Sequence, residues 1–497
     1  MTAPFRVLFV ASEMYPYAAV GGLGRVAYFL PKALIKMGVD ARVMIPKYGI
    51  IDLEKFPIKK MVAESLKVET GDPESEPLFC NVKLHQASGG PPTYFLENME
   101  FYEQRANVYA YADDSIRWGL LQRGVLQFIN SCGDWCPDII HCNDWQCGLI
   151  PQLIKTEYLN TKLSKLVTIY TIHNLIYQAN FDHRFVSELD YDDGQSEVPG
   201  FYSERFCKLN SMRRGILYSD LISTVSENYS HEILTPEYGE GLDQLLQEVR
   251  TKLVGITNGL DYDEFDPKTD KNIDFNYDVR TIDKRWYNKL ELQAEFQLEK
   301  NVDIPIVAIS NNLNEQKGLD LLYPIMDYLL GEMKIQFVVN GDGETRYKSF
   351  FSELFNRYPK QVGLNLRRDP LLPRHIFAGA DIILLPSKFE PCGIVQMEAL
   401  RYGCIPVARA TGGHVDTIKD GFSGFLFNKY DSMALFATIM RALEALRYPE
   451  VWKKIVKNAM NQDFSWDRVA EHYVKAYDRA VKLKRQVKIT SPRPEEL

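Results

Sequence analysis

The chain alternates short apolar runs of strand length with longer amphipathic stretches of helix length through most of its 497 residues. This alternation is typical of a parallel sheet wrapped by helices, so we expect an α/β fold. Two series of such units predict two doubly wound domains. Strands are predicted at 6–10, 41–45, 93–96, 139–141, 167–172 and 221–224 in the first half, and at 306–309, 335–339, 364–366, 382–385 and 405–407 in the second.

The break between the domains is predicted after the turn Asn258-Gly-Leu-Asp261, because the following residues are polar and rich in Asp and Lys. We expect an N-terminal domain over 1–260, a linker over 261–300, a C-terminal domain over 301–470, and a terminal helix with a disordered tail over 471–497. The pattern over 452–484 is strongly helical. Open parallel sheets bind ligands beyond the carboxyl ends of their strands, so the chemistry is expected in those loops.

Composition excludes several classes of partner. The net charge is -8, the sequence pI is about 5.7 and the basic residues are scattered, which disfavours nucleic acid and membrane surfaces. The chain enters a predicted strand directly after Met1-Thr-Ala-Pro4, without the pattern of a secretion signal, and no run of about 18 apolar residues occurs. We therefore expect a cytoplasmic protein.

The eight cysteines indicate buried thiols in a reducing compartment. None of them forms a CxxC pair. Cys132, Cys136, His141 and Cys142 are close in sequence, but their spacing matches no common zinc pattern. No metal site is predicted.

A glycine-rich loop follows the first predicted strand, in Ala19-Val-Gly-Gly-Leu-Gly-Arg-Val26. Its glycines let the backbone approach a ligand, and a helix from about Arg25 would direct its amides at an anion. The spacing is neither GxGxxG nor that of a P-loop, so neither common nucleotide motif applies. The alternative is a tight turn between strand and helix.

Two further loops of the first domain carry polar residues at predicted strand ends. Asp144 and Trp145 suit a sugar, through hydroxyl hydrogen bonds and ring stacking; alternatively, Asp144 caps a helix and Trp145 fills the core. His173 and Asn174 follow the next strand and suit hydrogen bonds to a substrate, although a lone histidine is more often structural.

The second domain contains the most specific pattern. Lys317 stands near a predicted helix start, where an ammonium and backbone amides suit a diphosphate; alternatively it is a solvated lysine. Glu390 lies on a rigid turn before a helix that carries Glu398, and Thr411-Gly-Gly413 follows shortly after. Two carboxylates in such a frame suit a ribose and a hexose, each held by bidentate hydrogen bonds.

These residues resemble the bacterial glycogen synthases and plant-type starch synthases, which are nucleotide-sugar glucosyltransferases of the GT-B fold. The resemblance runs from Val7-Leu-Phe-Val-Ala-Ser-Glu-Met-Tyr-Pro16 to Phe464-Ser-Trp466 and covers nearly the whole chain. It rests on His141-Cys-Asn-Asp-Trp145, Thr171-Ile-His-Asn-Leu175, Ser223-Thr-Val-Ser226, Glu237-Tyr-Gly-Glu-Gly-Leu242, Asn258-Gly-Leu-Asp261, Gln316-Lys-Gly-Leu-Asp320 and Glu390-Pro-Cys-Gly393.

The resemblance implies two Rossmann-like domains facing a central cleft, with the terminal helix crossing back onto the first domain. It implies that glucose passes, with retention of configuration, from ADP-glucose or UDP-glucose to an α-1,4-glucan primer. No metal and no other cofactor is implied. Protein cations and amides must then stabilise the leaving diphosphate.

The family's functional residues carry over to matching positions. Lys317 is implied to hold the diphosphate, Glu390 the donor glucose and Glu398 the ribose. The implied catalytic residues are His173, Lys317 and Glu390; the implied donor contacts are Gly21, Gly22, Lys317, Glu398, Thr411, Gly412 and Gly413; and the implied sugar contacts are Glu13, Asp144, Asn174 and Glu390.

Three positions depart from the family pattern. Ala19 stands where the opening loop normally has a lysine, Asn312 where the second-domain loop has an arginine, and Arg368 where a tyrosine near the adenine is expected. Each lost charge-assisted contact to the diphosphate removes about 1.5–3 kcal/mol of stabilisation. Arg25 and Arg409 are the candidate replacement cations.

Three hypotheses follow from these observations. The first is an active glucan synthase with a rearranged phosphate site. The second is a catalytically impaired relative that binds glucan or nucleotide in a regulatory role, and the third is a glycosyltransferase with another donor or acceptor. Lys317, His173, Glu390 and Glu398 favour activity, because a decayed site has no physical need for them together.

Overall fold

The computed structural model describes residues 5–131, 133 and 135–490, with side chains up to 486, and its chain divides into two units. One unit runs to Gly259 and takes in the chain from Trp466 onward, and the other is Leu260–Ser465. Within the described residues, no helix is long and apolar enough to cross a membrane. The tail over 491–497, which we expect to be disordered, lies outside those residues, and so does Cys132.

The first unit is built on one sheet, which has nine strands among the described residues. The strands are β1 Arg6–Val10, β2 Asp40–Pro46, β3 Lys60–Val68, β4 Leu78–His85, β5 Thr93–Glu97, β6 Ile139–Asn143, β7 Val167–Ile172, β8 Leu221–Thr224 and β9 Leu253–Gly255. The helices before the second unit are α1 Gly22–Lys36, α2 Asp114–Ser131, α3 Ile150–Lys155, α4 Ser211–Tyr218, α5 Glu227–Glu232 and α6 Asp243–Glu248.

The strand order of this sheet is β3-β4-β5-β2-β1-β6-β7-β8-β9, and the strands from β5 to β9 in this order are parallel to their neighbours. Every residue of β7 is buried, as is every residue of β1 after Arg6. Continuous apolar runs are expected of parallel strands that helices cover. The predicted strands 6–10, 167–172 and 221–224 match β1, β7 and β8, and the others of this unit have small shifts at their ends.

One edge of the sheet carries a hairpin that the sequence pattern did not predict. β3 pairs antiparallel with β4, and β4 pairs antiparallel with β5. Only Leu66 and Val68 of β3 are buried, and two irregularities interrupt its pairing with β4. An exposed, irregular edge strand has neither an apolar run nor a clean alternation, so it gives no clear pattern in the sequence.

The second unit has a six-stranded parallel sheet in the order β12-β11-β10-β13-β14-β15 among the described residues. Its strands are β10 Ile306–Ser310, β11 Gln336–Asn340, β12 Val362–Asn365, β13 Ile382–Leu385, β14 Ile405–Arg409 and β15 Phe425–Phe427. Its helices are α7 Arg285–Glu295, α8 Met326–Glu332, α9 Thr345–Arg357, α10 Leu372–Gly379, α11 Val395–Arg401, α12 Gly413–Thr417, α13 Ser432–Leu446 and α14 Pro449–Met460. The strand at 425–427 was not predicted.

Helix α7 lies within the segment 261–300 that we expected to be a linker. It packs against α10, and the Arg285 guanidinium donates to the backbone oxygens of Phe377 at 3.0 Å, Tyr402 at 3.1 Å, and Ala380. Ala380 and Tyr402 lie just before β13 and β14. Helix α7 is therefore fixed at the amino-terminal edge of the second sheet, and the segment is part of the second unit.

The last helix, α15 Trp466–Thr490, completes the core of the first unit. It packs against α1, β7 and β8, and its Tyr473 and Tyr477 are fully buried. The Tyr477 hydroxyl lies 3.2 Å from Nδ1 of His141 on β6. The helical pattern over 452–484 is interrupted in the structure, because α14 ends at Met460 and α15 begins at Trp466.

We predict that Tyr477→Ala lowers the free energy of unfolding by about 3–5 kcal/mol, because it leaves a cavity in the core. Tyr477→Phe removes only the hydroxyl near His141 and should cost about 1 kcal/mol. The measurement is urea unfolding of the full chain, followed by circular dichroism. Glu471→Ala, on the exposed side of α15, is the matched control, and equal stability of it and Tyr477→Ala would contradict this packing.

Candidate active site

Glu13 organises the glycine-rich loop of the first unit. Its side chain follows β1, is 2% exposed, and accepts backbone N–H groups from Val20, from Gly21 at 3.1 Å and from Gly24 at 3.3 Å. Since α1 begins at Gly22, the carboxylate lies at the positive end of the helix dipole. Burial raises the pKa of Glu13, and the three amide hydrogen bonds oppose that rise.

The loop amides predicted to face a phosphate thus already have an acceptor in this structure. An incoming anion has to compete with Glu13 for the N–H groups of Gly21 and Gly24. Ala19 and Gly22 are exposed, and Arg25 lies partly buried in the first turn of α1. Binding of phosphate by this loop stays a prediction.

Asp144 and His173 follow the neighbouring strands β6 and β7, and the structure brings them together. Asp144 Oδ1 accepts the backbone N–H of His173 at 2.8 Å, and the Asn174 amide also donates to this carboxylate. Burial raises the pKa of Asp144 to about 7 against the effect of these amides, and the nearby Glu13 charge raises it as well. The carboxylate makes no capping bond to the short helix that follows it.

Asn143 fixes the His173 ring, a role that the sequence did not suggest. The Asn143 amide NH2 donates to the carbonyls of Val10 at 3.0 Å and His141 at 3.3 Å. Its Oδ1 therefore faces His173, and the His173 Nε2–H donates to it at 2.9 Å. The neutral ring consequently presents Nδ1 as an acceptor.

Burial lowers the pKa of both His173 and His141 to about 3, and the nearby His173 ring lowers the pKa of His141 further. Because the folded state binds fewer protons than the unfolded one, these two groups make stability rise with pH between about 3 and 6.5. Asp144 acts in the opposite sense, since its raised pKa makes stability fall as pH rises toward about 7. The native site thus holds two neutral imidazoles beside a carboxyl poised to titrate.

Trp145 and Tyr109 complete the surroundings of this cluster. Trp145 packs on the core, with its ring centroid 6.4 Å from that of Trp118. This contact favours the core interpretation of Trp145 over sugar stacking. Tyr109, which the sequence did not single out, has its hydroxyl 2.8 Å from the Ser12 hydroxyl.

Lys317, which is partly exposed, and the buried Glu390 form an ion pair in the second unit, with Lys317 Nζ 2.5 Å from Glu390 Oε2. They meet because their loops follow β10 and β13, which are parallel neighbours. The Ser387 hydroxyl donates to the same oxygen at 3.3 Å. Burial alone would raise the pKa of Glu390, but Lys317, His414 and these hydrogen bonds outweigh it and hold the pKa below its usual value.

The Thr411-Gly-Gly413 loop packs directly on the turn that carries Glu390. A Cβ on Gly412 would lie 1.7 Å from the Glu390 backbone oxygen, and one on Gly413 would lie 1.9 Å from the Cys392 oxygen. The Gly413 N–H donates to the Glu390 oxygen at 3.1 Å, and the Thr411 N–H donates to Arg409 O at 3.0 Å. The glycines are therefore required for this contact, whatever ligand the loop binds.

His414 and Arg409 lie in the same cluster. His414 is buried, and its Nδ1–H donates to Arg409 O at 3.0 Å. Burial lowers the pKa of His414, and the nearby Glu390 charge opposes that fall. The Arg409 guanidinium donates to the Lys388 carbonyl and lies 5.4 Å from the Tyr430 ring centroid. Arg409 is thus placed beside the predicted diphosphate residues.

The remaining predicted positions are on the surface or at helix starts. Glu398 is partly exposed in the first turn of α11, which begins at Val395 rather than near Gly393. Asn312 is exposed in the loop after β10. Among the described residues, no group of three or more His, Cys, Asp or Glu side chains is arranged to hold a metal.

Two α/β units with mainly parallel sheets, each with polar clusters after the carboxyl ends of its strands, are the architecture expected of the GT-B class of glycosyltransferases. Comparison with known proteins agrees and is more specific. Residues 6–248 match the starch synthase catalytic domain family, and residues 292–461 match the group 1 glycosyl transferases. The chain belongs to the glycogen and starch synthase family.

Individual relatives match along nearly the entire chain. A glycogen synthase of Moorella thermoacetica is 40% identical over 493 residues, covering 98% of this chain and 99% of that protein. A glycogen synthase of Clostridium beijerinckii is 42% identical over 485 residues, covering 95% and 98%. The catalytic domain of starch synthase IV from Arabidopsis thaliana, solved with ADP and acarbose, has a TM-score of 0.82 at 29% identity, covering 96% of this chain and 100% of that one.

We predict that Asn143→Asp raises the pKa of His173 by about 1–3 units, because a carboxylate replaces the neutral oxygen that faces Nε2–H. The measurement is a titration of the His173 ring by nuclear magnetic resonance. Asn143→Leu tests the opposite case, since the ring then loses its acceptor without gaining a charge. A His173 pKa that is equal in the wild type and in Asn143→Asp would contradict the hydrogen bond.

Proposed function

We propose that this protein is an ADP-glucose-dependent glycogen synthase that adds glucose to the non-reducing ends of α-1,4-glucan chains. The observation that carries the proposal is the Lys317–Glu390 pair, 2.5 Å apart, beside the Gly412–Gly413 contact. A largely buried ammonium and a buried carboxylate suit the two halves of a nucleotide sugar, its diphosphate and its hexose hydroxyls. The similarity to bacterial glycogen synthases supports the polymer and the activity.

In this proposal the donor exchanges partners with the ion pair. The diphosphate takes the Lys317 ammonium, and Glu390 turns its acceptor oxygens to glucose hydroxyls. Arg409 adds a second cation near the same loop, and Glu398 binds the ribose. Because charge on the leaving group grows as the glycosidic bond breaks, the cations act most strongly in the transition state.

The chemical step transfers one glucosyl group. The bond between the anomeric carbon and the diphosphate oxygen breaks, and a hydroxyl oxygen of the glucan end forms the new bond on the same face. The hydroxyl proton passes to the departing phosphate oxygen, so ADP leaves and no protein nucleophile is needed. The product is a glucan one residue longer.

We propose that the cluster of the first unit recognises sugar hydroxyls. His173 offers Nδ1 as an acceptor, held in place through Asn143. Asp144 is partly exposed and, with a pKa of about 7, both accepts and donates hydrogen bonds near neutral pH. Glu13 and Asn174 position the loops around it.

The direct experiment incubates the purified protein with glycogen and either ADP-glucose or UDP-glucose and measures polymer elongation. We expect transfer from ADP-glucose in preference to UDP-glucose. Transfer from UDP-glucose alone would mean that UDP-glucose, and not ADP-glucose, is the donor. No transfer from either nucleotide sugar would reject the proposed synthase activity.

We predict that Lys317→Met lowers kcat/KM for ADP-glucose by about 10- to 150-fold, the equivalent of one charge-assisted contact. The measurement is initial elongation rate against donor concentration. Lys334→Met removes an exposed lysine of the same unit and is the matched control. Equal rates for the two variants would remove Lys317 from the donor site.

A second candidate function is regulatory binding of glucan or nucleotide by a chain whose catalytic activity is impaired. The observation that favours it is the missing cation at two positions, Ala19 and Asn312, both exposed in this structure. The alternative of another donor or acceptor is tested by the same donor comparison.

We predict that Ala19→Lys combined with Asn312→Arg raises turnover about tenfold or more, because each added cation restores a charge-assisted contact to the diphosphate. Ala19 is exposed, so a longer side chain has room. Val20→Lys puts the same charge on an adjacent exposed position and serves as the control. A fall in turnover of the double variant would instead mean that Arg25 or Arg409 already occupies the space.

A further inference from the structure

Three aromatic rings are stacked on the surface of the second unit, outside the clusters described above. Tyr287 lies between the other two, with its ring centroid 3.6 Å from that of Trp286 and 4.8 Å from that of Phe275, at interplanar angles of 27° and 30°. Each side chain is about two-fifths exposed, at 42% for Trp286, 38% for Tyr287 and 41% for Phe275. Contiguous exposed apolar patches often mark sites of interaction or ligand binding.

The stack is held rigidly. Trp286 and Tyr287 lie in the first turn of α7, which Arg285 ties to the backbone near β13 and β14. The Asn288 side chain is buried and bonds both backbone groups of Phe275, accepting its N–H at 3.1 Å and donating to its oxygen at 2.8 Å. The rings therefore lose little freedom when a ligand covers them.

The stack lies at the edge of the sheet opposite the candidate donor site. Helix α7 is fixed before the amino-terminal ends of β13 and β14, whereas Lys317 and Glu390 follow the carboxyl ends of β10 and β13. A strand of four or five residues separates these edges by about 15 Å. The stacked rings therefore do not belong to the Lys317–Glu390 cluster.

A cavity of about 350 Å³ adjoins the stack, and Trp286 forms part of its wall. This volume lies at the small end of the range of ligand pockets, about 300–1,000 Å³. Its charged side chains balance, with three acids and three bases, and several already pair, as Lys453 does with Asp283 at 2.8 Å and Lys289 with Asp381 at 2.8 Å. The charged residues of the wall are Asp283, Asp381, Glu450, Arg285, Lys289 and Lys453.

A wall with no net charge but many donors and acceptors suits a neutral polyhydroxylated ligand better than an anion or a cation. Hexose rings have an apolar C–H face that packs on aromatic rings and a rim of hydroxyls that bond carboxylates and ammonium groups. We propose that Phe275, Tyr287 and Trp286, with this cavity, form a second α-glucan-binding site that anchors the polymer and takes no part in glucosyl transfer. The choice of an α-glucan rests on the proposed function.

The test compares a branched polymer with a short acceptor. An anchoring site strengthens binding of a polymer that reaches both sites at once, but not of a maltooligosaccharide too short to do so. In Trp286→Ala we expect the half-saturating glycogen concentration to rise about five- to tenfold, with elongation of maltotriose unchanged. Native gels cast with glycogen should show a matching loss of retardation.

Phe355→Ala removes another aromatic side chain of the same unit, 39% exposed on α9, and is the matched control. Asp283→Asn gives an independent arm, because it changes an exposed cavity residue without touching the rings, and it should also weaken retardation by glycogen. Glycogen affinity of Trp286→Ala and Asp283→Asn equal to that of Phe355→Ala would overturn the anchoring site.

The experiments distinguish rejection of the anchoring site from rejection of the proposed synthase activity. If neither nucleotide sugar supports elongation but retardation by glycogen still depends on Trp286, the transfer activity is rejected and the anchoring site stands. If elongation is intact and retardation does not depend on Trp286, only the anchoring site is rejected.

Discussion

Carboxylates removed from solvent determine the arrangement of the two polar clusters, one in each unit. Buried charge is costly unless donors replace the solvent, so each acid of these clusters is surrounded by hydrogen-bond donors. Glu13 gathers the amides of the glycine-rich loop, Asp144 gathers the amides that follow β7, and Glu390 pairs with Lys317. The loops after the strands take their conformation from these bonds.

This constraint also commits the donor groups of both clusters to partners within the protein. The N–H groups of Gly21 and Gly24 are committed to Glu13, and the Lys317 ammonium is committed to Glu390. In the function proposed above, a nucleotide sugar exchanges partners with the Lys317–Glu390 pair rather than meeting an unpaired ammonium. Such an exchange makes affinity depend on the difference between two sets of charge-assisted bonds, which is smaller than either set. In that proposal, the cations missing at Ala19 and Asn312 matter because the loss of one or two contacts is enough to change the sign of this small free-energy difference.

Much of this architecture is predictable from local pattern. The buried strands β1, β7, β8 and β13 have the predicted bounds. A short continuous apolar run between two turns is typical of a strand in a parallel sheet that helices cover on both faces. The edge strand β3 and the short strands β9 and β15 were not predicted, since exposure and brevity remove the apolar run. The prediction of a linker over 261–300 misses helix α7, because the polar composition of this helix conceals the role of Arg285.

The site was predictable only in part, for a different reason. The sequence singles out His173, Lys317 and Glu390 through motif and resemblance, since they stand at strand ends within characteristic stretches, and their roles stay predictions. Asn143, His414 and Ser387 act through partners that the fold brings near, so their function depends on hydrogen-bond geometry that no local pattern contains. Likewise, Phe275 lies far enough from Trp286 in sequence that their stacking on Tyr287 emerges only in the folded chain.

The central claim is that this chain lengthens α-1,4-glucan chains from ADP-glucose. It is tested most directly by transferring radiolabelled glucose from ADP-glucose to glycogen with the purified protein, and then digesting the polymer with β-amylase, which releases maltose from α-1,4-linked chain ends. The account predicts that label enters the polymer and is recovered as maltose. Label that stays free, or that enters a product resistant to this digestion, would contradict it.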